Sequence, residues 1–342
     1  MPPDADPAAC IAMNTFITSP TALAAPVHAL HGQTMGTTWS VQCVSATRVD
    51  LHALHDAVQA RLDEVVSQMS TWEAKADITR FNHAAAGEWF ALQEDFLHVL
   101  TAALAIAATS EGAFDPTVSP LVAAWGFGAH AGTRGRPTNA DLVEARACVG
   151  WQHLRFDPAH GRIRQPGGVM LDLSAIAKGY GVDVVAALLK RRGIDAALVE
   201  VGGELYGYGR KADGQPWRVL VESSPDEEAD SPDMEPRVLA LEGLAVATSG
   251  DRWHAYAQDG RRYSHTIDPR SGEPVTDAAA AVTVIAADAM HADAWATALT
   301  VMGASSGYAF AQRHGLAARF LQRTTDGLIE TMTPAFEQHL AA

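Results

Sequence analysis

Asp293 and Thr297 stand four residues apart in "HADAWATAL", so a helix through this segment carries the carboxylate and the hydroxyl on one face. Their neighbours are mostly Ala, Trp, Leu and Val, which predicts a mostly buried helix. A buried carboxylate costs several kcal/mol unless it is paired. Here the partner is either a hard, oxygen-loving cation such as Mg²⁺ or a backbone amide or arginine from elsewhere in the chain. In "MLDLSAIAKGYGVDVV", Val169, Leu171 and Leu173 alternate around Asp172 as in a strand, Ser174 turns the chain, and a helix runs on to about "LLKRRG". Asp172 and Lys178 are opposite charges at that strand-to-helix junction; they either line a ligand site or are a capping Asp and a solvated Lys. In "YSHTIDPRSGEPV", Tyr263, His265 and Ile267 alternate on a strand entering an Asp268-Pro269 turn, and an imidazole at a strand end is either a general base or a structural histidine. Asp115 follows Phe114 in the turn "EGAFDPTVSP", and Trp72 lies in a polar loop. An aromatic and a carboxylate on separate loops suit a flat heterocycle; alternatively both are local turn and packing residues. Ser249-Gly250-Asp251 reads as a tight polar turn whose amides could meet a phosphate.

The elements that must position these residues follow from periodicity and punctuation. Gln33 to Val44 reads as a first strand. Leu51, Leu54, Val58, Leu62, Val65 and Met69 then recur at helical spacing behind Asp50, a plausible N-cap. Met69 to Ala84 is a polar loop, and Phe96 to Thr109 a second helix stopped by the glycine and prolines that follow. A short helix begins at Thr138 or Asn139, and Leu154 to Gln165 is a hairpin. Strands are expected in "AALVEVGGELYGYG", "WRVLVES", "VLALEGLAVATSG" and "AVTVIAAD", helices in "MHADAWATALTVMG" and "SSGYAFAQRHG", and a last hairpin in "ARFLQRTTDGLIETMT". Strands and helices mix without steady βαβ alternation, which makes the fold class α+β. Gly202-Gly203 permits a tight bend or a close ligand approach. No phosphate-binding P-loop, H-E-x-x-H or G-x-S-x-G motif occurs, and "GGELYGYG" does not fit a dinucleotide-binding G-x-G-x-x-G.

The 342 residues are 48% hydrophobic, ample for a large buried core. With 25 basic against 40 acidic side chains the formal charge is −15, which repels nucleic acid. An anionic cofactor would need local help from amides, a lysine or a metal ion. Cys10, Cys43 and Cys148 are too few and wrongly spaced for a zinc site or a disulfide framework. No apolar run approaches the roughly 20 residues of a membrane span. "TALAAP" looks like a cleavage site, but no Lys or Arg precedes Arg48. The expectation is therefore a disordered leader over residues 1–27, one domain over 28–342 with an acidic surface loop at 222–236, where 7 of 15 residues are acids, and a cytoplasmic location.

In this order, "TMGTTWSV", "MSTW…ITRFN", "GAFDPTVSPL", "LDLSAIAKGYGVD", "VEVGGELYGYG", "ATSGDR…YSHTIDPRSGEPV" and "TVIAADAMHADAWATAL" resemble the ApbE family, the FAD:protein FMN transferases, from Thr34 to about Gly303. The resemblance implies mixed and antiparallel sheets with flanking helices in two interleaved lobes, and an FAD site between them. It implies a Mg²⁺-dependent enzyme that splits the FAD pyrophosphate, attaches FMN to a Thr or Ser hydroxyl of an acceptor flavoprotein subunit and releases AMP. By the same resemblance Met35, Trp72, Ala113, Phe114, Asp115, Asp172, Lys178, His265 and Thr266 contact FAD, with Lys178 close to the diphosphate. Ala175 (through its carbonyl), Asp293 and Thr297 hold Mg²⁺, and His265 is the base that deprotonates the acceptor. An FAD pyrophosphatase and a non-catalytic flavin-binding protein are the alternatives. Two features depart from the family pattern: Trp72 stands where the family often has Tyr, and the secretion signal of many members, which would make the chain periplasmic, is not convincing here.

Overall fold

The described residues open with a hairpin where the sequence suggested one strand. β1 (Val27–Thr34) and β2 (Thr37–Val44) pair antiparallel, with Val27 opposite Val44 and Thr34 opposite Thr37. The two residues between them, Met35 and Gly36, have φ of 49° and 71°. A two-residue turn of that hand matches the twist of the paired strands; glycine adopts it freely, whereas Met35 does so at a steric cost. The structure, a computed structural model, describes residues 26–45, 48–129, 135–221, 237–250, 255–258, 261–275, 280–324 and 327–340. The expected leader thus lies outside the described residues except for Pro26 and Val27, the latter already in β1. The acidic stretch 222–236 lies outside them entirely.

The hairpin starts an eight-stranded antiparallel sheet. After β2 come β6 (Ala196–Val201), β7 (Glu204–Tyr208), β10 (Leu244–Gly250), β15 (Ala281–Ala286), β16 (Ala317–Thr324) and β17 (Gly327–Met332). Alternation sorts the two faces. Trp39, Val41, Cys43, Val199 and Val201 pack against α1 (Leu51–Met69), α6 (Ala177–Arg191) and α7 (Ala289–Met302). Val44, Ala196, Val246 and Ile285 face a ribbon of β8 (Trp217–Val221) and β9 (Arg237–Leu241) and the short α9 (Pro334–Glu337). Ser249 and Gly250 therefore end a sheet strand and do not form the polar turn read from the sequence; Asp251 lies outside the described residues. α8 (Ala304–Arg313) packs beside α7 over Phe310 and Phe320.

A second core sits on the far side of α6 and α7. It is built by α2 (Asp77–Asn82) and α3 (Glu94–Thr109) around Phe81, Phe96, Leu100, Ile176 and Met290. α2 was hidden in what reads as a polar loop; Ile78 and Phe81 are its buried side. Arg61 of α1 grips Asp95 of α3 with two hydrogen bonds of 2.7 Å, and the Tyr180 hydroxyl of α6 joins the same carboxylate. The hairpin read around Asp157-Pro158 and His160-Gly161 is there as β4 (Arg155–Asp157) and β5 (Arg162–Arg164), joined by β3 (Trp89–Ala91). Asp50 caps α1 through the amides of His52 and Ala53, and Thr138 caps α5 (Asn139–Ala147) in a capping box with Asp141.

A third, smaller cluster gathers Leu121 and Trp125 at α4 (Ser119–Ala124), Ala145 of α5, Phe127 and Ile267. It supports two short strand pairs: the ribbon of β11 (Ala255–Gln258) and β12 (Arg261–Ser264), then β13 (Ile267–Asp268) paired with β14 (Glu273–Pro274).

Val169 to Leu173 alternates in burial as expected, with Val169, Leu171 and Leu173 all buried, yet it joins no sheet. Side chains and loops take its backbone groups instead. Asn82 accepts from the Leu171 N–H at 2.7 Å and donates to its carbonyl at 2.9 Å, and the Asp172 N–H donates to the Pro116 carbonyl at 2.8 Å. The segment then enters α6, which crosses α7 at very close range at Gly179. A Cβ there would lie 2.1 Å from the Ala289 carbonyl oxygen. Gly179→Ala is expected to force the helices apart and cost about 1–3 kcal/mol despite alanine's better helix propensity. Urea unfolding checks this; an unchanged or raised midpoint would show that the crossing yields easily.

Candidate active site

The first turn of α6 has no side-chain cap. Its Gly179 N–H, one of the amides a helix start leaves unpaired, donates instead to Asp293 Oδ2 of α7 at 3.1 Å. Asp293 is only 4% exposed, so this amide and the adjoining charge of Lys178 are what make its burial tolerable. Lys178, one residue before Gly179, extends to two carboxylates. Its Nζ is 2.7 Å from Glu204 Oε1 and 3.5 Å from Asp293 Oδ1. Glu204 is the first residue of β7, after the Gly202-Gly203 bend, and is 3% exposed. The bend must be bare, because a Cβ on Gly202 would lie 2.8 Å from Thr37 Cγ2 and 3.2 Å from Lys178 Cδ. Its φ of 60° also suits glycine.

The electrostatics follow from this crowding. Burial disfavours the Lys178 ammonium, but Asp293 and Glu204 outweigh it and hold the amine protonated above the usual lysine range. Burial pushes Glu204 above the usual carboxylate range, against the pull of Lys178 and with the added repulsion of Asp293. Among the described residues Glu204 Oε2 is buried and has no hydrogen-bond partner. Two carboxylates against one ammonium leave room for further positive charge.

The other residues singled out by the sequence sit on neighbouring turns, helices and loops. Ala175 is in the turn that leads into α6, and Thr297 follows Asp293 by one turn on α7. Their oxygens are hard donors, as is the Asp293 carboxylate. The donors here therefore fit Mg²⁺ and do not suit zinc. Met35, at the tip of the first hairpin, reaches α6; a Cβ on Gly181 would lie 3.2 Å from its Cε. Asp172 Oδ1 accepts from the Ser174 N–H at 2.8 Å and so shapes the turn before α6.

Asp115 comes to the same place through Pro116, whose carbonyl accepts from Asp172 N–H. Both Asp115 oxygens are already engaged: Oδ1 by the Thr117 amide and hydroxyl at 2.8 and 2.7 Å, Oδ2 by the Trp151 amide at 3.1 Å. Burial pushes its pKa above the usual carboxylate range, offset in part by those donors. Asp115 is a turn-forming residue here, and the side chains of Ala113 and Phe114 are buried, Phe114 in the helical core. Trp72 is 74% exposed between α1 and α2; among the described residues no hydrogen bond or ring contact ties its indole to the rest.

His265 is not on a strand. It occupies a bend between β12 and β13, closed by the Thr266 N–H donating to Ser264 Oγ at 3.1 Å. Its ring meets Phe127 edge-on, with centroids 6.4 Å apart. The bend is attached on both sides. β13 packs on α7, and the following loop returns to the 112–115 turn, where a Cβ on Gly112 would lie 3.8 Å from Arg270 Cγ. Trp125 Nε1 fixes that loop by donating to the Gly272 carbonyl at 2.9 Å. Glu204 is the residue the sequence reading missed. Its signal was an acid directly after a glycine pair inside "VEVGGELYGYG".

Comparison with known proteins agrees with this geometry. The family model described as the ApbE family matches residues 35–320. A Klebsiella pneumoniae protein named FAD:protein FMN transferase is 35% identical over 94% of this chain and 92% of its own length. A Vibrio cholerae protein of the same name is 38% identical over 91% of this chain and 92% of its own. The crystal structure of Pseudomonas stutzeri flavinyl transferase ApbE, apo form, superposes with a TM-score of 0.86 at 38% identity, covering 94% of this chain and 99% of that one. Family model, relatives and fold coincide over nearly the whole chain: it belongs to the ApbE family.

Proposed function

We propose that this chain is a Mg²⁺-dependent FAD:protein FMN transferase that moves FMN from FAD to a Thr or Ser hydroxyl of an acceptor flavoprotein. The observation that carries the reading is the cluster where the start of α6, α7 and the β6–β7 bend meet. It puts Lys178 beside two buried carboxylates, one of them on the helix that also carries Thr297. The names of the relatives support the same reaction.

In the reaction the acceptor hydroxyl oxygen bonds to the FMN-side phosphorus, the bond from that phosphorus to the bridging oxygen breaks, and AMP leaves. This chemistry depends on charge neutralisation and alignment more than on covalent help. Lys178 supplies a fixed positive charge to the diphosphate in a protein whose overall charge is −15. Asp172 and the turn before α6 set where the nucleotide lies. His265, on its braced bend, takes the proton from the acceptor hydroxyl. Met35 and the exposed Trp72 offer apolar and aromatic surface to the flavin. Mg²⁺, held by Asp293, Thr297 and the Ala175 carbonyl, would add charge neutralisation at the phosphates.

The deciding experiment incubates the protein with FAD, Mg²⁺ and a candidate acceptor subunit, then measures the acceptor's intact mass and free AMP. Covalent FMN with matching AMP is expected. AMP without a mass increase would replace the transferase by a pyrophosphatase, and no AMP would leave only a flavin-binding protein. A second expectation concerns Lys178→Ala: loss of a charged hydrogen bond to phosphate weakens FAD binding by about 10- to 150-fold. Flavin fluorescence titration reads this directly, and an unchanged dissociation constant would remove Lys178 from the nucleotide site.

A further inference from the structure

We infer that Glu204 is a positioning residue that keeps the Lys178 ammonium off Asp293, so that Asp293 stays available to a divalent cation. The inference rests on the metal reading above and adds to it a residue outside the ligand set. Three observations carry it. Lys178 leans on Glu204 at 2.7 Å and stands farther from Asp293, at 3.5 Å. The other Asp293 oxygen is already taken by the Gly179 amide, so a lysine seated on Oδ1 would leave that carboxylate fully engaged by the protein's own donors. Glu204 itself is 3% exposed, and its Oε2 has no hydrogen-bond partner among the described residues. A buried, half-satisfied carboxylate is costly and calls for an explanation. It is retained here where its other oxygen holds the tip of Lys178.

The stem of Lys178 is held as well. Its Cδ lies against Gly202, next to Thr37, so the side chain has a fixed approach and a choice of two carboxylates at its end. With Glu204 present the ammonium has its own counter-ion, and a cation arriving at Asp293 need not displace it. Without Glu204 the ammonium has Asp293 as its nearest anion, and cation and lysine compete for one group. The bend at Gly202-Gly203, which starts β7 at Glu204, is therefore part of the metal site without contributing a ligand.

The test is a double-mutant cycle read by calorimetric titration with Mg²⁺ alone. Glu204→Gln is used because it conserves volume at a buried position and keeps an oxygen for Lys178. It should lower Mg²⁺ affinity, and adding Lys178→Ala should restore it. Simple charge addition also predicts losses and gains of these signs, so the diagnostic quantity is their coupling. The gain from Lys178→Ala should be about three- to tenfold larger in the Glu204→Gln background than in the wild-type one. Equal gains in the two backgrounds would overturn the positioning role, and so would a double variant that binds no better than Glu204→Gln. Asp293→Ala serves as the control for the underlying reading. If wild type and Asp293→Ala bind Mg²⁺ alike, or not at all, the metal assignment itself falls. If only Asp293→Ala loses binding, the assignment stands and Glu204 has no part in it.

Discussion

Asp293→Ala should lower FMN transfer by about 10³-fold or more and impair Mg²⁺ binding, because it removes the one charged donor of the proposed metal site. The change has a structural side that must be separated from the chemical one. Asp293 accepts from the Gly179 amide and faces Lys178 across 3.5 Å, so alanine also strands a helix-start N–H and shifts the whole ammonium onto Glu204. An unpaired buried donor costs about 1–3 kcal/mol. Asp293→Asn keeps an oxygen for the amide and removes only the charge. If the metal role is right, both variants fold and both lose transfer at limiting Mg²⁺, with excess Mg²⁺ recovering part of the rate in the asparagine form. Full activity of either variant at limiting Mg²⁺ removes Asp293 from the metal site.

His265→Ala should have the next largest effect, and of a different kind. General-base catalysis is worth about 10²–10⁴-fold, so transfer should fall by that factor while FAD affinity stays nearly intact. The bend that carries His265 is closed by the Thr266 amide on Ser264 and tied by the Trp125 link to Gly272, and both of these hydrogen bonds outlast the loss of the ring contact with Phe127. The fold is therefore expected to survive. The acid limb of the wild-type rate profile, where an imidazole base is protonated and idle, should vanish in the variant. AMP release without an acceptor should fall less, since no protein hydroxyl is being activated. If instead FAD binding is lost and transfer per bound FAD is unchanged, His265 is a cofactor contact and the base lies elsewhere.

Much of the frame is legible in the sequence alone. Helical spacing from Leu51 to Met69, its Asp50 cap, the buried helix bearing Asp293 and the closing hairpin all depend on local periodicity, which a sequence displays openly. Positive φ and non-local pairing were not legible in this way. The Met35-Gly36 turn looked like the middle of one strand, because alternation continues through it. Val169 to Leu173 has a strand's pattern, but Asn82, about ninety positions away, supplies the hydrogen bonds a neighbouring strand would have given. The same limit applies at the site. Asp293 and Thr297 could be placed on one helix face from spacing alone. That Lys178 would be held by Glu204, twenty-six positions later, depends on the Gly202-Gly203 bend, which no local rule connects to it.

The order of the main sheet bears on how the protein is made. From edge to edge its strands run β1, β2, β6, β7, β10, β15, β16, β17, the same order in which a ribosome delivers them. Each new strand can join the exposed edge of those already synthesised, so the sheet grows at one edge while β1 remains the other. Lys178 and Glu204 can meet once β7 has emerged, with their charges already matched. Asp293 follows some ninety residues later, on the helix between β15 and β16. At the roughly 5–20 residues per second of protein synthesis, several seconds separate the two events. During that interval the nascent chain holds a lysine with its counter-ion already in place and lacks the carboxylate that is proposed to recruit metal.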